Sequence, residues 1–352
     1  MTAQSPSGVD LGALLGPDAV RSPATQALWD WLVEQDAGVP DWTTLPAAQA
    51  RALQDGLNRR WNAELPPLDR IEDLVVGGVQ GRLFVPHEAK PGGIVFLHGG
   101  GWAFGSLDTY ARFMALLAVD CGTRVLGVGY RLAPEHPAPA ALEDGVAAWR
   151  AVTDGATPLG MDGPFAVAGD SAGAALALGL ALHEGREGGR RPDAGLLFYG
   201  AYSTDTDTPS YRRFAEGQGL TRAGMERFWN WYAPAGSPMR RDPTICPLLA
   251  ADADVARLPP LFMTAAGLDP LLCDTLAMAQ RVEAASVPCR PACGCRTRVP
   301  RSARPPPSCR KSGIAEASQP AIRSSCCSRL ATMAADGSGR PCRKPCTSSQ
   351  PS

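Results

Sequence analysis

Residues 164–182 read "PFAVAGDSAGAALALGLAL", a short apolar run, a Gly-x-Ser-x-Gly pentapeptide and a longer apolar run in direct succession. The first run is brief and bounded by proline and glycine, which suits a buried strand; the second is rich in Ala and Leu, which suits a helix. Small residues at Gly169 and Gly173 let the chain reverse sharply between the two. Such a turn projects Ser171 from the top of a sheet onto the first turn of a helix. Backbone N–H groups there face outward and favour a developing negative charge. The pentapeptide alone is weak in a glycine-rich chain, where an ordinary strand–helix turn carries the same letters. The flanks decide for a nucleophile elbow.

The same alternation continues in both directions. "GGIVFLHGG", "TRVLGVGY", "AGLLFYG" and "LPPLFMTAAG" read as further buried strands, and "YARFMALLAVDCG" and "ALEDGVAAWRAVTDG" as the helices between them. Strands alternating with helices predict an α/β fold with a mostly parallel central sheet flanked by helices. "IEDLVVGGVQGRLFVP" predicts a hairpin turning at Gly77–Gly78. Two helical stretches near the N-terminus, "SPATQALWDWLVEQDAG" and "LPAAQARALQDGLNRRWNAEL", open on start signals. A further helical segment after Ser203 breaks the alternation. These helices are expected to pack together as a lid, dividing the chain into lid residues 1–66, core 67–202, a second lid segment 203–243, core 244–288 and an atypical tail 289–352.

"HGGGW", His98 to Trp102, follows the strand "GGIVFLHGG". Three successive glycines let main-chain N–H groups approach a substrate oxygen closely. No Gly-Lys-Ser/Thr follows, which excludes a Walker loop. His98 reads as a hydrogen-bonding residue that shapes the loop rather than as a base.

The four segments "HGGGW", "YRLAPEHPAPAALED", "GDSAG" and "LDPLLCD" occur in the order found in the hormone-sensitive-lipase-like branch of α/β-hydrolase carboxylesterases, and the chain resembles that family from about Ile71 to Pro288. The resemblance implies an α/β-hydrolase fold with a helical lid. It implies Ser171 as nucleophile, Asp269 as the acidic triad member, and an oxyanion hole drawn from Gly99, Gly100, Gly101 and Ala172. "YRLAPEHP" would then be a structural loop in which His136 packs. Asp269 also stands after a buried strand, where α/β enzymes place functional side chains. Its rival Asp242, in "RDPT", has polar flanks that indicate a loop, and Asp274 reads as an acid in the first turn of a helix. By resemblance the substrates are short-chain carboxylic esters; no cofactor or metal is implied.

A serine nucleophile needs a general base. In the family a histidine follows the acid by about thirty residues, yet none follows His183 in this chain. The position falls inside "CRPACGCRTRVPRSARPPPSCRK", residues 289–311, whose Cys, Arg and Pro content resembles nothing before it. The net charge of −1 conceals the break: residues 289–352 carry ten Arg and two Lys against two acids, so +10, leaving −11 for the rest. The acidic body argues against nucleic acid as a partner. A zinc site would want cleanly paired cysteines, which the tail lacks; a natural, disordered basic tail is one alternative. The favoured reading is a shifted reading frame near Pro288, because GC-rich coding DNA read out of frame yields this composition. "TRVPR", residues 297–301, can be encoded ACA CGG GTT CCT CGG, and starting one nucleotide later gives His-Gly-Phe-Leu. The C-terminal part of the fold is accordingly expected to be missing or disordered, and the chain to be nearly inactive. A catalytically dead small-molecule binder on the same fold remains the second reading.

Residues 1–20 have neither a basic start nor an apolar run, and the longest apolar stretch, Ala174–Leu182, is too short to span a bilayer. With only three cysteines before residue 289, a cytoplasmic location is expected. Trp29, Trp31, Trp61, Phe228, Trp229 and Trp231 fall on the lid helices, where their spacing favours packing over a pocket lining. Oligomeric state leaves no mark.

Overall fold

The computed structural model describes residues 20–62, 64–155, 159–217 and 219–293. Among the described residues, eight strands form one sheet: β1 Arg70–Val76, β2 Val79–Val85, β3 Lys90–Leu97, β4 Thr123–Val128, β5 Phe165–Asp170, β6 Ala194–Phe198, β7 Leu261–Ala265 and β8 Cys289–Cys293. Their order is β1-β2-β4-β3-β5-β6-β7-β8. β1 and β2 form the antiparallel hairpin expected at Gly77–Gly78, with Val76 opposite Val79. β2 runs antiparallel to β4, and every later pairing is parallel.

Period-two burial along the strands divides the interior into two cores. Val95 and Leu97 of β3, Leu126 of β4 and Val167 of β5 face one side; Ile94, Phe96, Val125 and Ala168 face the other. The first side is covered by α4 Ala140–Thr153, α5 Ala172–Glu187 and α9 Leu272–Ala284, and the second by α3 Ala111–Cys121. α5 is buried nearly all round, with Ala172 to Leu182 inaccessible. That is why its sequence is apolar without a stripe.

After β3 the chain places β4 on one side and β5 on the other. The direction of winding therefore reverses around β3, which opens a crevice beyond the carboxyl ends of β3 and β5. The glycine loop leaves β3 and Ser171 leaves β5, so both arrive there.

The N-terminal segment contains α1 Pro23–Gln35, a 3-10 turn Trp42–Thr44 and α2 Ala47–Asn58. Ser22 caps α1 by accepting from the Thr25 N–H, with Pro23 in the first turn. The second segment contains α6 Pro209–Arg213 and α7 Arg222–Tyr232; the short α8, Asp252–Val255, precedes β7. The two segments meet where Trp42 stacks on Phe228, ring centroids 4.6 Å apart, and where Arg227 donates to the Leu45 carbonyl at 2.5 Å.

One boundary needs correction. Composition sets the tail apart from residue 289, yet Cys289–Cys293 extend the sheet in parallel register with Leu261–Ala265. Pairing on a sheet edge asks only for extended backbone, and an edge strand tolerates the proline at 291. The remainder of the atypical tail lies outside the described residues.

Candidate active site

Ser171 caps the N-terminus of α5 with φ +51° and ψ −120°, a conformation uncommon for a residue with a side chain. Its amide donates to the Phe198 carbonyl at 2.8 Å, and its own carbonyl accepts from Ala174 at 3.1 Å. The elbow is possible because the flanking positions carry no Cβ. A Cβ on Gly169 would lie 2.7 Å from the Leu97 carbonyl oxygen, and one on Gly173 would lie 2.5 Å from that of His98. Helix α5 thus rests directly on the backbone leaving β3. Among the described residues, no hydrogen bond joins Ser171 Oγ to another group.

The residue between the first glycine and the serine ties the two loops together. Asp170 is buried and accepts from the Gly99 N–H at 2.8 Å, the Tyr110 hydroxyl at 2.9 Å and the Tyr199 hydroxyl at 3.4 Å. Burial outweighs these three donors and pushes its carboxyl up to about 6. The Gly99 amide is therefore already committed, which removes it from the expected oxyanion-hole set. Gly100 and Gly101 have positive φ of 113° and 60°, and Ala172 opens α5. Asp170, Tyr110 and Tyr199 were missed by sequence reasoning; the acid beside Ser171 was the available signal.

His98 has the shaping role its place in the loop implied. Its Nδ1 lies 2.8 Å from the Gly99 carbonyl oxygen, its carbonyl accepts from the Tyr130 hydroxyl at 2.7 Å, and its ring stacks on Tyr130. Burial lowers its pKa to about 4, so the ring is neutral. His87 and His136 are exposed, and His183 sits far down α5, about 18 Å from Ser171 at 1.5 Å per residue. No hydrogen bond joins any of the four to Ser171 among the described residues.

Asp269 occupies the loop between β7 and α9 and accepts from the Leu271 N–H at 2.6 Å. Burial raises its carboxyl to about 6, with this one amide opposing. The loop is held by a residue that sequence reading passed over: Ser210 of α6 donates to the Pro270 carbonyl at 2.6 Å and accepts from Cys273 N–H at 3.1 Å. Asp242 makes a local turn, accepting from both the amide and hydroxyl of Thr244. Asp274 stands in the first turn of α9, but it points into the core. It accepts from the amides of Tyr202 and Ser203, each at 2.9 Å.

Of the aromatics on the two helical segments, Phe228 and Trp229 are buried and packed. Phe228 lies against Gly101, where an added Cβ would collide with its ring, and Trp229 packs on Trp102 at 4.4 Å. Trp31 and Trp61 are exposed and touch edge-on; Trp29 lies under the Arg21 guanidinium, and Trp231 under that of Arg227. Among the described residues no cluster could hold a metal ion, and no helix is long and apolar enough to cross a membrane.

A family model described as alpha/beta hydrolase fold matches residues 94–293, from within β3 to the end of β8. The chain belongs to the α/β-hydrolase family. Within that family it is similar to carboxylesterase NlhH of Mycobacterium tuberculosis, 37% identical over 234 residues, 64% of this chain and 73% of that protein. An acetyl esterase of Salmonella paratyphi B is 33% identical over 264 residues, 72% of this chain and 80% of the relative. Among solved structures, the ester-hydrolase EH1AB1 from the metagenome of Lake Arreo superposes with a TM-score of 0.72 at 32% identity, covering 78% of this chain and 90% of that one. A thermostable esterase from Pseudomonas putida superposes equally well, TM-score 0.72, at 28% identity over 78% of this chain and 88% of the other. This α/β-hydrolase is thus esterase-like, as its four motifs imply.

Proposed function

We propose that this fold hydrolyses short-chain carboxylic esters through Ser171, and that the chain as written has lost the base the reaction needs. The carrying observation is Ser171 at a strained elbow on the N-terminus of α5, beside the loop leaving β3. In the complete reaction the Ser171 oxygen attacks the ester carbonyl carbon while a base takes its proton. The carbonyl oxygen becomes an oxyanion facing the amides of Gly100, Gly101 and Ala172. The ester C–O bond breaks, the base returns the proton to the departing alcohol, and water releases the acid from the acyl-serine.

Asp269 would orient that base, which by resemblance belongs to the segment after β8. No histidine follows His183, so the segment contains none. Loss of the base in a serine-protease triad lowers kcat about a million-fold. The C-terminal composition, together with the His-Gly-Phe-Leu reading one nucleotide out of frame, supports a frame shift; an uninterrupted frame on resequencing codons 285–352 would end that idea.

The functional test uses p-nitrophenyl acetate. The chain alone is expected to hydrolyse it barely above buffer. Added imidazole should raise the rate beyond imidazole's own contribution, and S171A should abolish the increment. Strong turnover without imidazole would identify another base. An increment that persists in S171A would remove Ser171 from the chemistry and favour the ligand-binding alternative.

A further inference from the structure

The loops entering β6 and β7 enclose an open cleft of about 440 Å³. It lies at the N-terminal ends of these parallel strands, whereas Ser171 follows the C-terminal end of β5. The cleft and the candidate active site therefore occupy opposite ends of the sheet. Arg190 and Arg191 come from the loop between α5 and β6, and Arg257 from the turn after α8.

The walls are firm. Pro192, Pro259 and Pro260 line the cleft, and a proline ring leaves its φ little freedom. The Arg190 carbonyl accepts from the buried Trp149 indole at 2.7 Å, and Asp193 accepts from the Phe165 amide at 2.8 Å. A ligand would find these loops already ordered.

The charges in the cleft do not cancel. Arg190 pairs with Asp193 at 2.6 Å. Arg191 donates only to the main-chain carbonyl of Arg257, at 3.2 Å, and no carboxylate among the described residues pairs with Arg191 or Arg257. Of the acids nearby, Asp254 pairs with Arg186 at 2.7 Å and one Glu184 oxygen with Arg150 at 2.8 Å, while the other Glu184 oxygen is buried behind Gly189 with no hydrogen-bond partner among the described residues. Both side chains start from the same patch of surface, with Arg191 Cδ and Arg257 Cβ each 3.9 Å from where a Cβ on Gly185 would stand. Two cations lining one cleft without a counter-charge disfavour each other, and an anion bound there would interact favourably with both.

We propose that this cleft binds a small phosphate-bearing polyanion, with Arg191 and Arg257 as its principal ligands. A guanidinium offers parallel N–H donors that match two phosphate oxygens. Two such forks beside a third arginine fit a molecule with at least two anionic groups. The cleft volume falls within the usual range of about 300–1,000 Å³ for small-molecule sites. Its position keeps it independent of the esterase chemistry.

Titration calorimetry of the whole chain with pyrophosphate tests the proposal. Saturable binding is expected, weakened about tenfold by R191A and by R257A, since each removes a charge-assisted contact. R222A, remote from the cleft, should leave it unchanged. Arg191 and Arg257 are both exposed, so the variants should fold, which circular dichroism and the urea midpoint verify. The pair R191K/R257K, which keeps charge but loses the forks, is expected to bind between wild type and the alanine pair. Absence of saturable binding, or equal binding by R191A/R257A, would overturn the proposal; citrate binding as tightly as pyrophosphate would overturn its assignment to phosphate.

Discussion

Asp170→Asn isolates the effect of holding a carboxylate beneath the glycine loop. The folded chain raises the Asp170 pKa from 3.8 to about 6, with burial as the main cause. The sign follows directly: the folded state prefers the neutral acid, so its contribution is fully present below about pH 3.8 and is lost as pH rises through about 6. At about pH 8, where the group is charged in both states, the penalty is about 3 kcal/mol; near pH 4.5 it is about 1 kcal/mol. Asparagine keeps the shape and an acceptor for the Gly99 amide but never ionises. Any fixed cost of placing its NH2 group against the Tyr110 and Tyr199 hydroxyls applies at both pH values and cancels. Relative to wild type, D170N should therefore gain about 2 kcal/mol between pH 4.5 and pH 8. Urea unfolding across that range measures it, each ΔG extrapolated to water with m held in common. Parallel wild-type and D170N curves would mean that the three donors fully compensate burial. A variant that loses ground as pH rises would mean that they over-compensate it, and the reasoning would fail.

Asp269, also raised to about 6 by burial, predicts the same sign: D269N should become more stable relative to wild type as pH climbs from about 4 to 7, and a pH-independent difference would place its carboxylate in water. Gly99→Ala would set a Cβ 2.5 Å from Asp170 Oδ2 and 2.8 Å from the Tyr110 hydroxyl. Its expected destabilisation is about 1–3 kcal/mol, read as a lower urea midpoint; a neutral result would show the loop free to move off Asp170. Arg51 of α2 donates to the carbonyls of Ala103 at 2.8 Å and Ala133 at 3.0 Å, bracing the glycine loop from the N-terminal segment. R51A should cost about 1–3 kcal/mol and speed amide exchange at residues 102–106, and R51K should not restore protection. Unchanged exchange would show the brace to be incidental.

The sequence by itself determined the core elements and their order. Each buried strand was short, apolar and stopped by Gly or Pro, and each connecting stretch was long enough for a helix, so β3 to β7 and α3 to α5 could be read from local letters. The pentapeptide at 169–173 located the elbow because only glycine fits there, a constraint visible in the letters. The absence of a later histidine was likewise a sequence fact. What only the tertiary structure decided was which groups are already satisfied and which are left over. The Gly99 amide is occupied because Asp170 lies 71 residues further along the chain, and Asp274 turns inward because two distant amides receive it. β8 joins the sheet because β7 offers it an edge, whatever its composition. Arg191 and Arg257, the cleft arginines without a carboxylate partner among the described residues, are unremarkable in sequence, since whether a charge is paired depends on neighbours brought close by folding. Propensity and pattern are local properties of the chain; hydrogen-bond satisfaction and charge balance are properties of its packing in space.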